Sequence, residues 1–270
     1  MGMTVALLNL KGGVGKSSIT YHVGGMLAKS GRRVLVGDFD PQASLTQGFW
    51  GPQATRDLPA WQSVAALFDP DQSPIPESLV RPTGVPGLDL LPGSRHLGRA
   101  NMTPPEDWGF HQDAAKEALA ELEDSYDVIL LDCPPNLYLC SWSAMVAATA
   151  VAVPLQAEDF GSQGLAPVQE AVAAVQAGPN PRLRLAGYVL SMFDKRLTVH
   201  LTYEAMLREL YAEAVFANAI PRAKDFVEAV AARQPISVYK PKCASAKAAA
   251  AVGEELMERV AGASEARRVA

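Results

Sequence analysis

A glycine- and lysine-rich segment near the start of the chain constrains the fold more than any other feature. Residues 10–18 read Leu-Lys-Gly-Gly-Val-Gly-Lys-Ser-Ser and lie between an apolar run at residues 4–10 and a helical pattern at residues 17–30. Glycines let consecutive backbone N–H groups turn towards one anion, and the start of a helix adds partial positive charge. A strand, a glycine loop and a helix in this order predict a phosphate-binding loop. The predicted contacts with a bound nucleotide are Gly12, Gly13, Val14, Gly15, Lys16, Ser17 and Ser18.

Two side chains of this loop have separate predicted roles. Lys16 is expected to bridge the β- and γ-phosphates, and the Ser17 hydroxyl is expected to bind Mg²⁺. The segment departs from the usual GxxxxGK[ST] pattern, because Leu10 stands at the first glycine position and a second lysine, Lys11, follows it. The alternative is a tight turn with solvated lysines, which the strand-to-helix setting disfavours.

The rest of the chain alternates short apolar runs with longer helical patterns. Because the runs are apolar on both faces, we expect an α/β fold, with a mostly parallel twisted sheet flanked by helices on both faces. We expect one domain over residues 1–260, with a loop-and-short-helix excursion at 48–105, and a frayed tail at residues 261–270. Further strands are predicted at residues 33–37, 88–91, 128–131, 150–155 and 183–190, and further helices at 111–125, 163–177, 200–211, 224–233 and 244–260.

Composition excludes several classes of protein. Hydrophobic residues make up 49% of the chain, charged residues 20%, and the formal net charge is −5. These values exclude a disordered chain, a collagen-like chain and a strongly basic nucleic-acid coat protein. The three cysteines form no CxxC pair, so we expect neither a zinc site nor a disulfide framework, and we expect a reducing cytosol.

Three carboxylates follow apolar strands. Asp38 and Asp40 come at the end of the second strand, and Asp132 follows the run at residues 128–131. The carboxyl ends of parallel strands meet at one edge of a sheet, where α/β proteins bind ligands. Phosphoryl transfer needs a held metal ion and an oriented water molecule, and carboxylates supply both. Asp132 suits a Walker B role; turn or helix-cap residues are the alternative for the pair Asp38 and Asp40.

This set of motifs resembles the deviant Walker A P-loop ATPases of the ParA/MinD family, and most of all its Soj-like ParA partition proteins. The resemblance runs from about residue 4 to residue 260 and is weakest over 48–105. It implies the cofactors ATP and Mg²⁺, and an ATP-bound sandwich homodimer in which Lys11 reaches the partner's phosphates. It also implies that Asp38 lies in the Mg²⁺ water shell and that Asp40 orients the attacking water. The implied catalytic residues are Lys11, Lys16 and Asp40, and the implied metal site is Ser17, Asp38 and Asp132.

Later segments carry two further predictions. Met192, Pro221 and Arg222 are candidates for enclosing the adenine, or are ordinary loop and helix-start residues. Residues 221–247 contain six basic and two acidic side chains, which favours salt-sensitive contact with DNA phosphates; a solvated basic helix face is the alternative. The candidate DNA contacts are Arg222, Lys224, Arg233, Lys240, Lys242 and Lys247.

The resemblance implies a slow, partner-stimulated ATPase that moves a plasmid or chromosome origin. The expected partners are non-specific DNA and a ParB-like centromere-binding protein, and the expected location is the cytoplasm, on the nucleoid. A MinD-like, membrane-associated positioning ATPase is one alternative, but it needs a basic amphipathic C-terminal helix, whereas residues 253–260 are mainly acidic. A ParA-like ATPase that positions a protein cargo is the other. An iron-protein-like reductase would need paired cysteines to hold a cluster.

Overall fold

One sheet of seven strands forms the centre of the computed structural model, which describes residues 2–157 and 165–265. The strand order is β3-β4-β2-β5-β1-β6-β7; β3 pairs antiparallel with β4, and the other neighbouring pairs are parallel. The predicted fold class, a mostly parallel α/β sheet, is confirmed. The strands are β1 (Met3–Leu7), β2 (Val34–Asp38), β3 (Arg81–Val85), β4 (Leu88–Leu91), β5 (Val128–Asp132), β6 (Ala150–Gln156) and β7 (Arg184–Ser191).

Helices connect the strands and cover the sheet. The α-helices are α1 (Lys16–Lys29), α2 (Ser44–Trp50), α3 (Pro52–Arg56), α4 (Ala114–Leu122), α5 (Leu139–Ala147), α6 (Ala166–Ala177), α7 (Thr198–Tyr211), α8 (Lys224–Ala231), α9 (Ile236–Tyr239) and α10 (Ala244–Glu265). Between α3 and α4 the chain forms short 3₁₀ helices, including Pro105–Asp113, which is kinked at Gly109. No helix of the described residues is long and apolar enough to cross a bilayer.

Two hydrophobic cores lie on opposite faces of the sheet. Along β5, Ile129 and Leu131 point into one core with α4 and α5, whereas Val128 and Leu130 point into the other with α1 and α10. Successive strand residues face opposite sides, so a strand covered on both faces must be apolar throughout. This explains why an unbroken apolar run correctly predicted a central parallel strand.

Three differences between the predicted and the observed elements have a clear physical reason. β1 ends at Leu7 rather than at residue 10. β3 was not predicted, because Pro82 and Gly84 interrupt it; an edge strand tolerates both residues. The helix predicted at residues 111–125 is shorter, since 3₁₀ geometry persists to Asp113 before α4 begins.

Two predicted segments extend beyond the described residues. Positions 163 and 164 of the helix predicted at 163–177 lie outside them, and α6 begins at Ala166. Helix α10 continues to Glu265, five residues into the predicted tail, and residues 266–270 lie outside the described part. The single domain and the frayed tail stay predictions.

Candidate phosphate-binding and catalytic site

The carboxyl ends of β1, β2 and β5 meet at one edge of the sheet. In the parallel register Asp132 lies beside Leu7 on one side and beside Asp38 on the other. The loop that follows β1 and leads into α1 passes over this edge. The structure therefore brings the glycine loop together with Asp38 and Asp132, and Asp40, two residues after Asp38, lies near enough for its charge to act on Lys16.

Two glycines shape the loop. Gly13 has a φ of 78° and Gly15 a φ of 90°, in the left-handed region that glycine adopts without steric cost. Gly15 is the residue before α1, and its carbonyl accepts the N–H of Ile19 at 2.8 Å. Lys11, Gly12 and Gly13 are exposed, so the loop presents its backbone and the Lys11 side chain at the surface.

Side chains at the ends of β6 and β7 brace the loop from one side. Gln156 donates from Nε2 to the carbonyl of Gly13 at 3.0 Å, and the Ser191 hydroxyl donates to the carbonyl of Val14 at 2.5 Å. Both donors are fixed in the sheet. The loop conformation is therefore set by tertiary contacts as well as by its glycines.

Lys16 lies under the loop and is only 7% exposed. Its Nζ donates to the carbonyl oxygens of Asn9 at 3.0 Å and Lys11 at 3.2 Å. Burial lowers the pKa of Lys16, and the nearby charges of Asp132 and Asp40 oppose that change. The neighbouring carboxylates favour the charged form of Lys16. A buried ammonium group in this position is suited to contact phosphate oxygens.

Asp132 carries the observation that most clearly points to a metal site. It is fully buried, and neither carboxylate oxygen accepts a hydrogen bond from a described residue. Its pKa is raised well above the usual range, mainly by burial and secondly by the nearby charge of Asp38. The Ser17 hydroxyl acts in the opposite direction and lowers this pKa. A buried carboxylate is costly unless it is paired, and a divalent cation with bound water would pair it. Asp132 and Ser17 therefore fit the chemistry of Mg²⁺.

Asp38 is held by the start of α2. Its Oδ2 accepts the backbone N–H of Thr46 at 2.8 Å and the Thr46 hydroxyl at 2.7 Å, and its Oδ1 accepts the N–H of Asp40 at 3.3 Å. Burial raises the pKa of Asp38 to about 7, while the Thr46 hydrogen bonds favour the charged form. The carboxylate thus has a structural role, and its predicted contact with the Mg²⁺ water shell stays a prediction.

Asp40 occupies a different environment, two residues further on. It is partly exposed, and its Oδ1 accepts the N–H of Gln42 at 2.8 Å. Its own N–H donates to Asp38 Oδ1, but its carboxylate accepts from Gln42 rather than from the Thr46 groups that hold Asp38. Asp40 is therefore open to solvent beside the loop, as a residue that orients water must be.

The three adenine candidates lie close together. Phe193 donates its N–H to the carbonyl of Ile220 at 2.9 Å and accepts the N–H of Arg222 at 3.1 Å. These contacts align Met192 with Pro221 and Arg222, and a Cβ placed on Gly15 would lie 3.8 Å from Cε of Met192. A groove of about 400 Å³ lies beside them and is lined by Phe193, Asp194, Lys195, Asn218, Pro221 and Arg222.

The six candidate DNA contacts differ in their surroundings. Lys240 pairs with Asp225 at 2.8 Å and with Glu228 at 2.7 Å, which raises its pKa. Lys224 lies 3.6 Å from Glu228. The charge of Lys240 is therefore largely neutralised where it lies. The exposed members of the set are Arg222, Lys224, Arg233, Lys242 and Lys247.

Sequence reasoning gave no role to four polar residues around the loop. Asn9, Thr46 and Ser191 are buried, and Gln156 is partly exposed. Each donates or accepts a hydrogen bond that positions the loop or Asp38. Three of them stand at or just after the end of an apolar strand, at the edge where ligands bind, and that position was the available signal.

Comparison with known proteins gives similarities along most of the chain. A family model described as an AAA domain (AAA_31) matches residues 2–185. The chromosome-partitioning ATPase Soj of Thermus thermophilus is 36% identical over 256 residues, 95% of this chain and 96% of that protein. The chromosome partitioning protein ParA of Caulobacter vibrioides is 31% identical over 257 residues, 94% of each. A solved Mycobacterium smegmatis structure, described as cobyrinic acid a,c-diamide synthase with bound ADP and magnesium, has a TM-score of 0.78 and 28% identity, and the match covers 96% of this chain and 95% of that one.

Proposed function

Since the chain belongs to the Soj/ParA family of partition ATPases, we propose that it is a DNA-segregation ATPase whose ATP-bound dimer binds DNA without sequence preference. It is an ATPase and uses ATP with Mg²⁺, in keeping with its relatives and with the similar structure that holds ADP and magnesium. The observation that carries the proposal is the group of Lys16, Asp132 and Asp40 beneath and beside the glycine loop.

Each of these residues has a distinct task in the proposed reaction. The loop N–H groups and Lys16 bind the phosphate oxygens and offset their charge. Ser17, Asp132 and Asp38 would hold the metal ion and its water, and Mg²⁺ when bound would supply charge neutralisation at the phosphates. Asp40 orients the attacking water. The unpartnered oxygens of Asp132 support this assignment.

Lys11 acts from the second subunit. Its side chain is exposed at the tip of the loop, whereas Lys16 is buried beneath it. An exposed cation at this position can contact the phosphates of a facing copy and stabilise charge in the transition state, as an arginine finger does. Hydrolysis then depends on dimer formation, which couples nucleotide state to oligomeric state.

The dimer carries the DNA-binding function. The exposed side chains of Arg222, Lys224, Arg233, Lys242 and Lys247 contact phosphates without reading bases, and a dimer doubles their number. A ParB-like centromere-binding partner stimulates slow hydrolysis and releases the protein from DNA. Repetition of this cycle moves a plasmid or chromosome origin along the nucleoid, in the cytoplasm.

The experiment measures binding of the purified protein to random-sequence duplex DNA, with ADP or with a non-hydrolysable ATP analogue, across a salt series. We expect the protein to bind DNA with the analogue but not with ADP, and we expect the affinity to fall steeply as the salt concentration rises. Absence of DNA binding in both states, with dimerisation intact, would contradict the proposal. Binding to anionic liposomes would then favour a MinD-like positioning ATPase, and failure to bind either would favour a protein cargo.

A further inference from the structure

The side chain of Asn9 joins the start of the phosphate loop to the sheet. Asn9 is 4% exposed and lies just beyond the end of β1. Its Nδ2 donates to the carbonyl of Pro154 in β6 at 2.7 Å. The backbone N–H of the preceding residue, Leu8, donates to the carbonyl of Ala152 in β6 at 3.1 Å. The Asn9 amide therefore continues the β1–β6 hydrogen bonds by one step, at the point where the backbone leaves the sheet.

The other end of the same amide holds the backbone of Lys11. Asn9 Oδ1 accepts the N–H of Lys11 at 2.9 Å, a turn contact that asparagine makes with the residue two positions on. The carbonyl of Lys11 accepts Lys16 Nζ at 3.2 Å. Both polar groups of the Lys11 backbone are thus held, while its side chain remains exposed.

We propose that Asn9 is a positioning residue for Lys11, and that it acts on hydrolysis in the facing subunit rather than in its own. This inference rests on the proposed function, which assigns Lys11 to the partner's phosphates. A long flexible side chain stabilises a transition state better when its backbone is already held in place. Otherwise ordering the backbone and the side chain during the reaction costs conformational entropy. When Lys16 contacts phosphate, Asn9 Oδ1 is the contact that keeps the Lys11 backbone in place.

Two variants separate positioning of Lys11 from simple attachment of the loop. Both Asn9→Ala and Asn9→Ser remove the hydrogen bond to Pro154. A serine hydroxyl still accepts the N–H two residues on, whereas alanine does not. We expect Asn9→Ala to lower kcat about tenfold or more with little change in KM for ATP, and Asn9→Ser to retain most of kcat. Equal decreases in the two variants would overturn the proposal, because the Pro154 hydrogen bond alone would then explain them.

A mixing experiment tests whether Asn9 acts across the dimer. Asn9→Ala is mixed with Asp40→Ala, and ATP hydrolysis is measured against each variant alone. In a mixed dimer, the Asp40→Ala subunit supplies a well-held Lys11 to a site whose own Asp40 is intact. When ATP is added to premixed, nucleotide-free subunits, random pairing makes half of the dimers mixed, with one working site each. We therefore expect the initial rate, measured before Asp40→Ala homodimers accumulate, to recover to about a quarter of the wild-type rate per subunit.

A parallel mixture of Lys11→Ala with Asp40→Ala separates this inference from the proposed function. Recovery in both mixtures supports the role of Asn9. Recovery with Lys11→Ala but not with Asn9→Ala would overturn the role of Asn9 and leave the role of Lys11 intact. Recovery in neither mixture would overturn the action of Lys11 in the facing subunit, and the inference about Asn9 with it.

Discussion

The phosphate-binding edge and the basic surface of residues 222–247 are held by different kinds of contact. At the edge, Lys16, Asp38 and Asp132 are buried and lie on or beside paired strands. On the basic surface, exposed side chains carry the charge, and Lys240 is paired with two carboxylates. The difference implies that single substitutions at the edge have large effects, whereas the surface acts through the sum of several small contacts.

The largest effect is expected from Lys16→Ala. Removing the buried cation leaves the β- and γ-phosphates without their positive partner, so ATP turnover should fall about 100-fold or more. Nucleotide binding, followed by titration calorimetry, should be lost as well. Lys116→Ala, on the exposed side of α4, is the control and should behave as wild type. Normal ATP binding in Lys16→Ala would contradict the assignment.

Asp40→Ala should separate binding from hydrolysis at the same edge. Because Asp40 is partly exposed and outside the Asp38–Thr46 contacts, ATP binding should persist while turnover falls about 100-fold. The dimer should then accumulate with ATP, as measured by light scattering. A variant that stays monomeric in ATP would refute this role for Asp40.

Thr46→Val tests a buried residue that supports Asp38 rather than a predicted catalytic group. The hydroxyl donates to Asp38 and accepts the N–H of Gly93 at 2.9 Å. Its removal leaves buried polar groups unpaired, so the free energy of unfolding should fall by about 1–3 kcal/mol in urea denaturation. The matched control is Thr202→Val on the exposed side of α7, with an expected change within about 0.5 kcal/mol. Equal stability of the two variants would show that the Asp38 contacts are unimportant.

The smallest single effects are expected on the basic surface. Lys242→Ala and Lys247→Ala should each weaken DNA binding modestly and reduce the slope of log K against log salt by about 1 for each DNA phosphate that is no longer neutralised. Lys240→Ala should change the slope less, because Asp225 and Glu228 already engage its ammonium group. A larger slope change for Lys240 than for Lys242 would mean that DNA displaces those carboxylates.

The residues show which contacts local sequence pattern can indicate and which it cannot. Asp38 and Asp132 each end an apolar strand, and parallel strands place such ends at one edge of the sheet, so the shared edge followed from the sequence. The direct pairing of β2 with β5 did not, because β3 and β4 lie between them in the chain. The support from Asn9 to Pro154 joins positions 145 residues apart, and local pattern carries no information about that distance. The pairing of Lys240 with Asp225 likewise depends on how α8 meets the segment after α9.

Local rules also explain the errors in the fold. β3 lacks an apolar run because it is an edge strand with one neighbour, so the pattern of buried strands did not predict it. β1 ends early because Asn9 uses its side chain, not its backbone, to bond to β6. The first error reflects one-sided burial of an edge strand, and the second a side-chain contact that takes the place of backbone pairing.

In the proposed cycle, ATP brings two copies together across the phosphate-binding edge. The most direct test is the mass of the wild-type protein in solution, measured by multi-angle light scattering with ADP and with a non-hydrolysable ATP analogue. We expect 28.7 kDa with ADP and twice that mass with the analogue. A mass of one chain in both states, with the analogue shown to be bound, would contradict it.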